Sequence, residues 1–185
     1  MPCKSGFSLL ELLVVMAILA ILAGVAAPTF QSTFDQREGE LAIRSLVAQI
    51  SLARTSAIEH GTMVTVCPSQ DGAGCSGNWS DGSIVFTDIN GDRDVGEEDL
   101  LIRSSQTGLR GQLRWRAFQN RQYLQINPTG GMRHQSGNFT YCPADGDPRL
   151  ARQLVVNGTG RIRLAVDSNG DGLREDSSGA PLRCD

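Results

Sequence analysis

The sequence predicts an α+β protein in which the second half of one long N-terminal helix packs on an antiparallel β-rich head. Three observations carry this expectation. From Phe7 to Pro28 the only charged residue is Glu11. From Phe30 to Ile58 apolar residues recur at three- and four-residue steps, the spacing of an amphipathic helix. Beyond Gly61 come short runs of strand character bounded by Gly, Asn, Asp and Pro, none followed by a helical pattern, which favours antiparallel pairing over βαβ units.

The apolar segment sets the organisation. The 185 residues have room for one modest globular head plus an extension. Spread over 7–28, a helix rising about 1.5 Å per residue reaches about 33 Å, enough for a bilayer core of about 30 Å. Lys4 ahead of an apolar run is also how a secretory signal begins, but this run exceeds the roughly 7–15 residues of a signal core. The nearest approach to a cleavage site, Ala26-Ala27-Pro28, contains a proline. Glu11 is the informative residue, because a carboxylate in a bilayer costs about 2.5–3.5 kcal/mol or more and calls for a partner. Either it reaches the headgroups from the helix start, or it meets a positive charge on a neighbouring subunit.

Gly6-Phe7-Ser8-Leu9-Leu10-Glu11, behind a short basic peptide, resembles the leader of type IV pilins and pseudopilins. The resemblance implies cleavage between Gly6 and Phe7 by a prepilin peptidase and N-methylation of Phe7. It also implies pairing of Glu11 with the Phe7 ammonium of an adjacent subunit, which would neutralise the buried charge. The fold implied is type IV pilin-like: leader 1–6, transmembrane and filament-core helix 7–28, amphipathic helix 29–60, and head 61–185. Pro28 stands where such helices commonly kink; it lacks a donor and crowds the carbonyl of Gly24.

The helix is expected from about Ser8 to His60, with Gly61 as its stop. Eight strands are expected in one antiparallel sheet: 62–67, 83–88, 100–105, 112–118, 122–127, 138–142, 152–157 and 160–166. Cys3 belongs to the leader, leaving Cys67, Cys75, Cys142 and Cys184. Four cysteines allow three pairings; Cys67–Cys75, closing a Gly-rich loop, and Cys142–Cys184, tying down the C-terminus, are favoured in an oxidising compartment. A zinc site is the rival, but there is no C-x-x-C pair and neither His60 nor His134 lies near a cysteine.

No catalytic constellation stands out, and an enzyme is not expected. With two histidines, acid–base chemistry would rest on carboxylates, and these cluster in turn-like segments. No cofactor is required by the pattern. Asp88-Ile89-Asn90-Gly91-Asp92-Arg93-Asp94, followed by Asp99, nevertheless places oxygens at positions 1, 3, 5 and 12 of a calcium loop, with Arg93 at the usual glycine. Asp167-Ser168-Asn169-Gly170-Asp171-Gly172 is a weaker echo, with Ser178 at its twelfth position. Asp, Asn and Gly also simply make tight turns.

Net charge is only −3, but it is segregated. Residues 67–99 hold eight acidic residues against Arg93, and 100–166 hold ten arginines against Asp145 and Asp147. Beyond Lys4 every basic side chain is arginine, whose planar fork pairs with phosphate and stacks on bases. The candidate anion site is Gly160-Arg161-Ile162-Arg163-Leu164: on a strand, Ile162, Leu164 and Val166 face the core while Arg161 and Arg163 project to solvent. Arg114 and Arg116 around Trp115 repeat the arrangement, with Arg149 and Arg152 as further support. The alternative is a solvated face, or arginines pairing with acidic loops of the same or the next subunit.

The cysteine near the end of the first strand, the strand–Asp–Asn–Gly turn and the C-terminal cysteine resemble the GspH/FimT group of minor pilins and pseudopilins. Within it, FimT-type minor pilins carry a C-terminal Gly-Arg-x-Arg motif implicated in DNA capture during natural transformation, and Gly160-Arg161-Ile162-Arg163 matches it. The resemblance implies a minor pilin that helps pilus assembly and binds extracellular double-stranded DNA. The alternative is a purely structural minor pilin or the H-type pseudopilin of a type II secretion system. The partners expected are other pilins or pseudopilins, prepilin peptidase, the inner membrane and DNA. The location expected is the inner membrane with the head in the periplasm, then a surface pilus or periplasmic pseudopilus.

Overall fold

The computed structural model describes residues 8–133 and 135–184, over 25–33 the backbone alone. The cleavage pair Gly6 and Phe7 therefore lies outside the described residues, as do Lys4 and His134. The chain divides into two units, Met1–Asp35 and Gln36–Asp185.

Helix α1, Leu9–His60, begins in the first unit and ends in the second. Its start is capped by Ser8, whose Oγ accepts from the Glu11 N–H at 3.2 Å. It stops at Gly61, where the backbone turns left-handed (φ +63°). Among the described residues of the first unit the large apolar side chains are exposed; Leu9, Leu12, Ile18 and Leu22 are all more than half so. Among the described residues no helix is long and apolar enough to cross a membrane. The described apolar side chains end short of Pro28, so the membrane assignment of 7–28 rests on the sequence.

In the second unit eight strands follow: β1 (Val64–Pro68), β2 (Gly82–Thr87), β3 (Leu101–Gln106), β4 (Gln112–Ala117), β5 (Leu124–Ile126), β6 (Gly137–Cys142), β7 (Arg152–Val156) and β8 (Ile162–Leu164). They lie near their expected places and pair antiparallel, but in two sheets rather than one: β3-β2-β1-β5 and β4-β6-β7-β8. The chain changes sheet three times, after β3, after β5 and, in between, from β4 to β5. Between β4 and β5, Gln119 and Asn120 adopt positive φ, and the Trp115 indole N–H donates to the Arg121 carbonyl at 2.8 Å. The chain thereby turns away from β4, and β5 joins β1.

One core unites the layers. Ile43, Leu46, Ile50, Ala53 and Ala57 of α1 pack with Val64, Val66, Val85 and Leu124 of the first sheet and Trp115, Phe139, Tyr141 and Leu154 of the second. Glu38 ties the helix to the second sheet, accepting from the Gly111 N–H at 2.8 Å and the Tyr141 hydroxyl at 2.9 Å. A smaller core of Cys67, Ile84 and Phe86, with Val95 and Tyr123 against it, lies on the other face of the first sheet.

Cys67 is bonded to Cys75 and Cys142 to Cys184, each pair with Cα atoms 5.5 Å apart. The four cysteines are thus in disulfides and are not ligands of a zinc site.

Candidate nucleic-acid interface

The Gly160 motif sits at the β7–β8 hairpin. Asn157 builds the turn: its Oδ1 accepts from the N–H and hydroxyl of Thr159 and from the Arg161 N–H at 2.8–3.1 Å. Gly160 occupies the left-handed position at φ +78°, and its carbonyl faces Arg54 Nη1 of α1 at 3.5 Å. A Cβ at Gly160 would approach the Gly130 carbonyl at 3.0 Å, so glycine is required there by conformation and by space.

Strand pairing decides where the arginines point. Arg163 lies opposite Val155, Val155 opposite Asn138, and Asn138 opposite Arg116. These four residues form one row across the second sheet, on the face away from Phe139, Tyr141, Leu154 and Val156. Arg163 and Arg116 stand at its two ends, three strand spacings or about 14 Å apart. Arg161 and Arg114 share that face by two-residue alternation, and between the basic edges lie the uncharged Asn138, Thr140 and Gln153. Arg116, Arg161 and Arg163 are exposed, and none of the three is in an ion pair among the described residues.

The expected core partners of these arginines are only partly placed as predicted. Ile162 is half-buried against the main core, but Leu164 and Val166 are 51% and 57% exposed. Leu164 does lie opposite buried Leu154; β8 is the sheet edge, so no further strand covers it. Arg152 is corrected as a candidate: it is 8% exposed, and its Nη1 donates to the carbonyls of Arg149 and Ala151. Burial, then the nearby Arg174 charge, lowers its pKa. Arg149 is exposed on the loop before β7. Arg114 donates from Nε and Nη2 to Gln112 Oε1 at 3.1 and 2.8 Å.

Sequence reasoning missed Arg183. The C-terminal segment, tied to β6 by Cys142–Cys184, lies along the same face and closes a groove of about 340 Å³ lined by Arg114, Arg116, Asn138, Thr140, Gln153, Asp176 and Arg183. The disulfide was the available signal, since it had to bring Arg183 beside β6. Phe118, expected as the last residue of the fourth strand, lies directly after β4 and is exposed.

The Asp88–Asp99 loop covers the smaller core. Asp88 is buried, with Oδ2 accepting from the Thr65 hydroxyl and the Gln125 amide and Oδ1 from the Arg93 N–H. Asp99 accepts from the N–H groups of Ile89 and Gly96. Arg93, at φ +74°, places its guanidinium 5.1 Å from the Tyr123 ring centre.

Comparison with known proteins agrees with this architecture. Residues 42–160 match the model of the type II transport protein GspH, and residues 1–27 match the prokaryotic N-terminal methylation motif. The first match ends immediately before Arg161. A pilin-like protein, PilA1, of Thermus thermophilus is 36% identical over 97 residues, 51% of this chain and 56% of that protein. The fimbrial protein EcpB of Eikenella corrodens is 38% identical over 72 residues, 37% of this chain and 43% of that one. The chain thus spans about half the length of the curated relatives it matches. The type IV minor pilin FimU of Pseudomonas aeruginosa superposes with a TM-score of 0.57 at 19% identity, covering 80% of this chain and 96% of FimU. The minor pseudopilin EpsH of the Vibrio cholerae type 2 secretion system gives 0.52 at 14% identity, covering 71% and 99%. With a family model spanning well over half of its residues and the fold shared with these structures, the chain belongs to the GspH family of pilin-like proteins.

Proposed function

We propose that the chain is a minor pilin of a type IV pilus that contributes to assembly through α1 and binds double-stranded DNA, for uptake in natural transformation, on the outer face of the second sheet. After cleavage between Gly6 and Phe7 it would stay in the inner membrane with its head in the periplasm until it enters the filament. Glu11, exposed on the bare start of α1, would find the Phe7 ammonium of a neighbour there. The observation that carries the DNA reading is the row Arg116–Asn138–Val155–Arg163. It puts the guanidinium groups of Arg116 and Arg163 at opposite edges of a sheet face whose intervening strand residues are uncharged, with Arg161 beside Arg163 and Asp176 of the C-terminal segment alongside. Such a face attracts phosphates without reading bases, so binding should be salt-sensitive and indifferent to sequence.

The test is a titration of labelled duplex DNA with the oxidised full chain in detergent, beside the double variant Arg161→Gln/Arg163→Gln. The expected result is salt-dependent binding that the variant weakens at least tenfold. If wild type binds no better than the variant at low salt, the arginines are a solvated face. The second reading would then stand, a purely structural minor pilin or H-type pseudopilin; the match to a type II transport family favours it.

A further inference from the structure

Two loops of the head share one backbone design. In 88–94, Asn90 Nδ2 donates to Asp92 Oδ2, the Asp92 N–H returns to Asn90 Oδ1, and the Asp94 N–H donates to Asp92 Oδ1. In 167–173 the same three bonds join Asn169, Asp171 and Leu173. The sixth position is left-handed in both, at Arg93 (φ +74°) and Gly172 (φ +86°). They differ in what fills them. In the first loop the leading aspartate is buried and takes side-chain donors from Thr65 and Gln125, and the ninth position is Gly96.

The second loop has Glu175 at the ninth position. Carboxylate oxygens of Asp167, Asp171 and Glu175 converge within 4.8 Å of one another. Glu175 is 8% exposed. Its Oε2 accepts from the Ser168 N–H and hydroxyl, while its Oε1 is buried without a hydrogen-bond partner. It is the only carboxylate so placed among the described residues. A buried charged oxygen without a partner is costly, and two further carboxylates at this range raise the cost by repulsion. A divalent cation would answer both. Oxygen donors without His or Cys select a hard ion, and three carboxylates on a short loop with glycine at its sixth position suit calcium. We propose that Asp167, Asp171 and Glu175 form a calcium site that fixes the C-terminal segment.

The test uses the full chain in detergent, stripped with chelator, and follows thermal unfolding and calorimetric heat as calcium chloride is added. The expected result is a saturable rise in melting temperature, with Kd of about 10⁻⁴–10⁻³ M, as in extracellular modules. Magnesium chloride should act at least tenfold more weakly. Asp171→Asn, at an exposed position, should weaken the response at least tenfold. Glu175→Gln should abolish it and, in chelator, melt no lower than wild type. Asp92→Asn, the counterpart in the other loop, should respond as wild type does. The proposal is overturned if wild type shows no calcium response, if Asp171→Asn responds as wild type does, or if Asp92→Asn loses the response instead.

Discussion

At the scale of single residues, one turn recurs three times in the head. Asn127, Asn157 and Asp176 each accept at Oδ1 from the N–H and hydroxyl of the Thr or Ser two positions on and from the N–H four positions on. Gly130, Gly160 and Gly179 take the left-handed place between. The device was legible only as Asn/Asp–Gly turn chemistry, because what each turn abuts depends on the sheets. Asp176 gives a pH prediction. Hydrogen bonds from the Ser178 hydroxyl and N–H hold its carboxyl below the ordinary 3.8. The N–H groups of Ala73 and Gly74 do the same for Asp71. A carboxylate with a depressed folded pKa stabilises the fold above its unfolded value, and that contribution is lost as pH falls through the folded one. Melting temperature should therefore be level down to about pH 4 and drop below it. Asp176→Asn should flatten part of the drop; an unchanged acid limb in that variant would contradict the assignment.

At the scale of elements, the helix and the strand sites were legible because their periodicities, 3.6 and 2, differ. The division into two sheets was not, since the chain changes sheet three times, once at the left-handed Gln119 and Asn120, residues with no obligatory turn signature. Leu164 shows the same limit. Alternation gave its face correctly but could not show that β8 would be a sheet edge. Gly39 tests how tightly α1 lies on the second sheet. Alanine in mid-helix is ordinarily better than glycine by up to about 1 kcal/mol. Here a Cβ would stand 2.8 Å from two ring atoms of fully buried Tyr141, and overpacking costs about 1–3 kcal/mol. Gly39→Ala should therefore lower stability in chemical denaturation, with a reduced midpoint at an unchanged slope. A raised midpoint would show that the ring has room to move.

At the scale of the whole molecule, charge segregation was visible from composition by segment, but its meaning was not. The acidic stretch 67–99 contains a loop that covers the smaller core, in which Asp88, Asp92 and Asp99 accept from backbone N–H groups. The arginines of β4 and β8 come together only through the pairing of four strands. If both edges of the face contact phosphate, Arg116→Gln and Arg163→Gln should each reduce the log–log salt slope of DNA binding by about 1. Both should weaken binding uniformly across sequences. Loss at Arg163 alone would confine the contact to the hairpin.

The hold of Arg54 on Gly160 has a consequence for transplantation. The hairpin bearing Arg161 and Arg163 is seated against the Gly130 turn and beneath a helix residue 106 positions upstream. Grafted alone into another scaffold, the four-residue motif would keep its charges but lose its seat. A working graft has to bring along both Asn-x-Thr-Gly turns and the arginine that spans them.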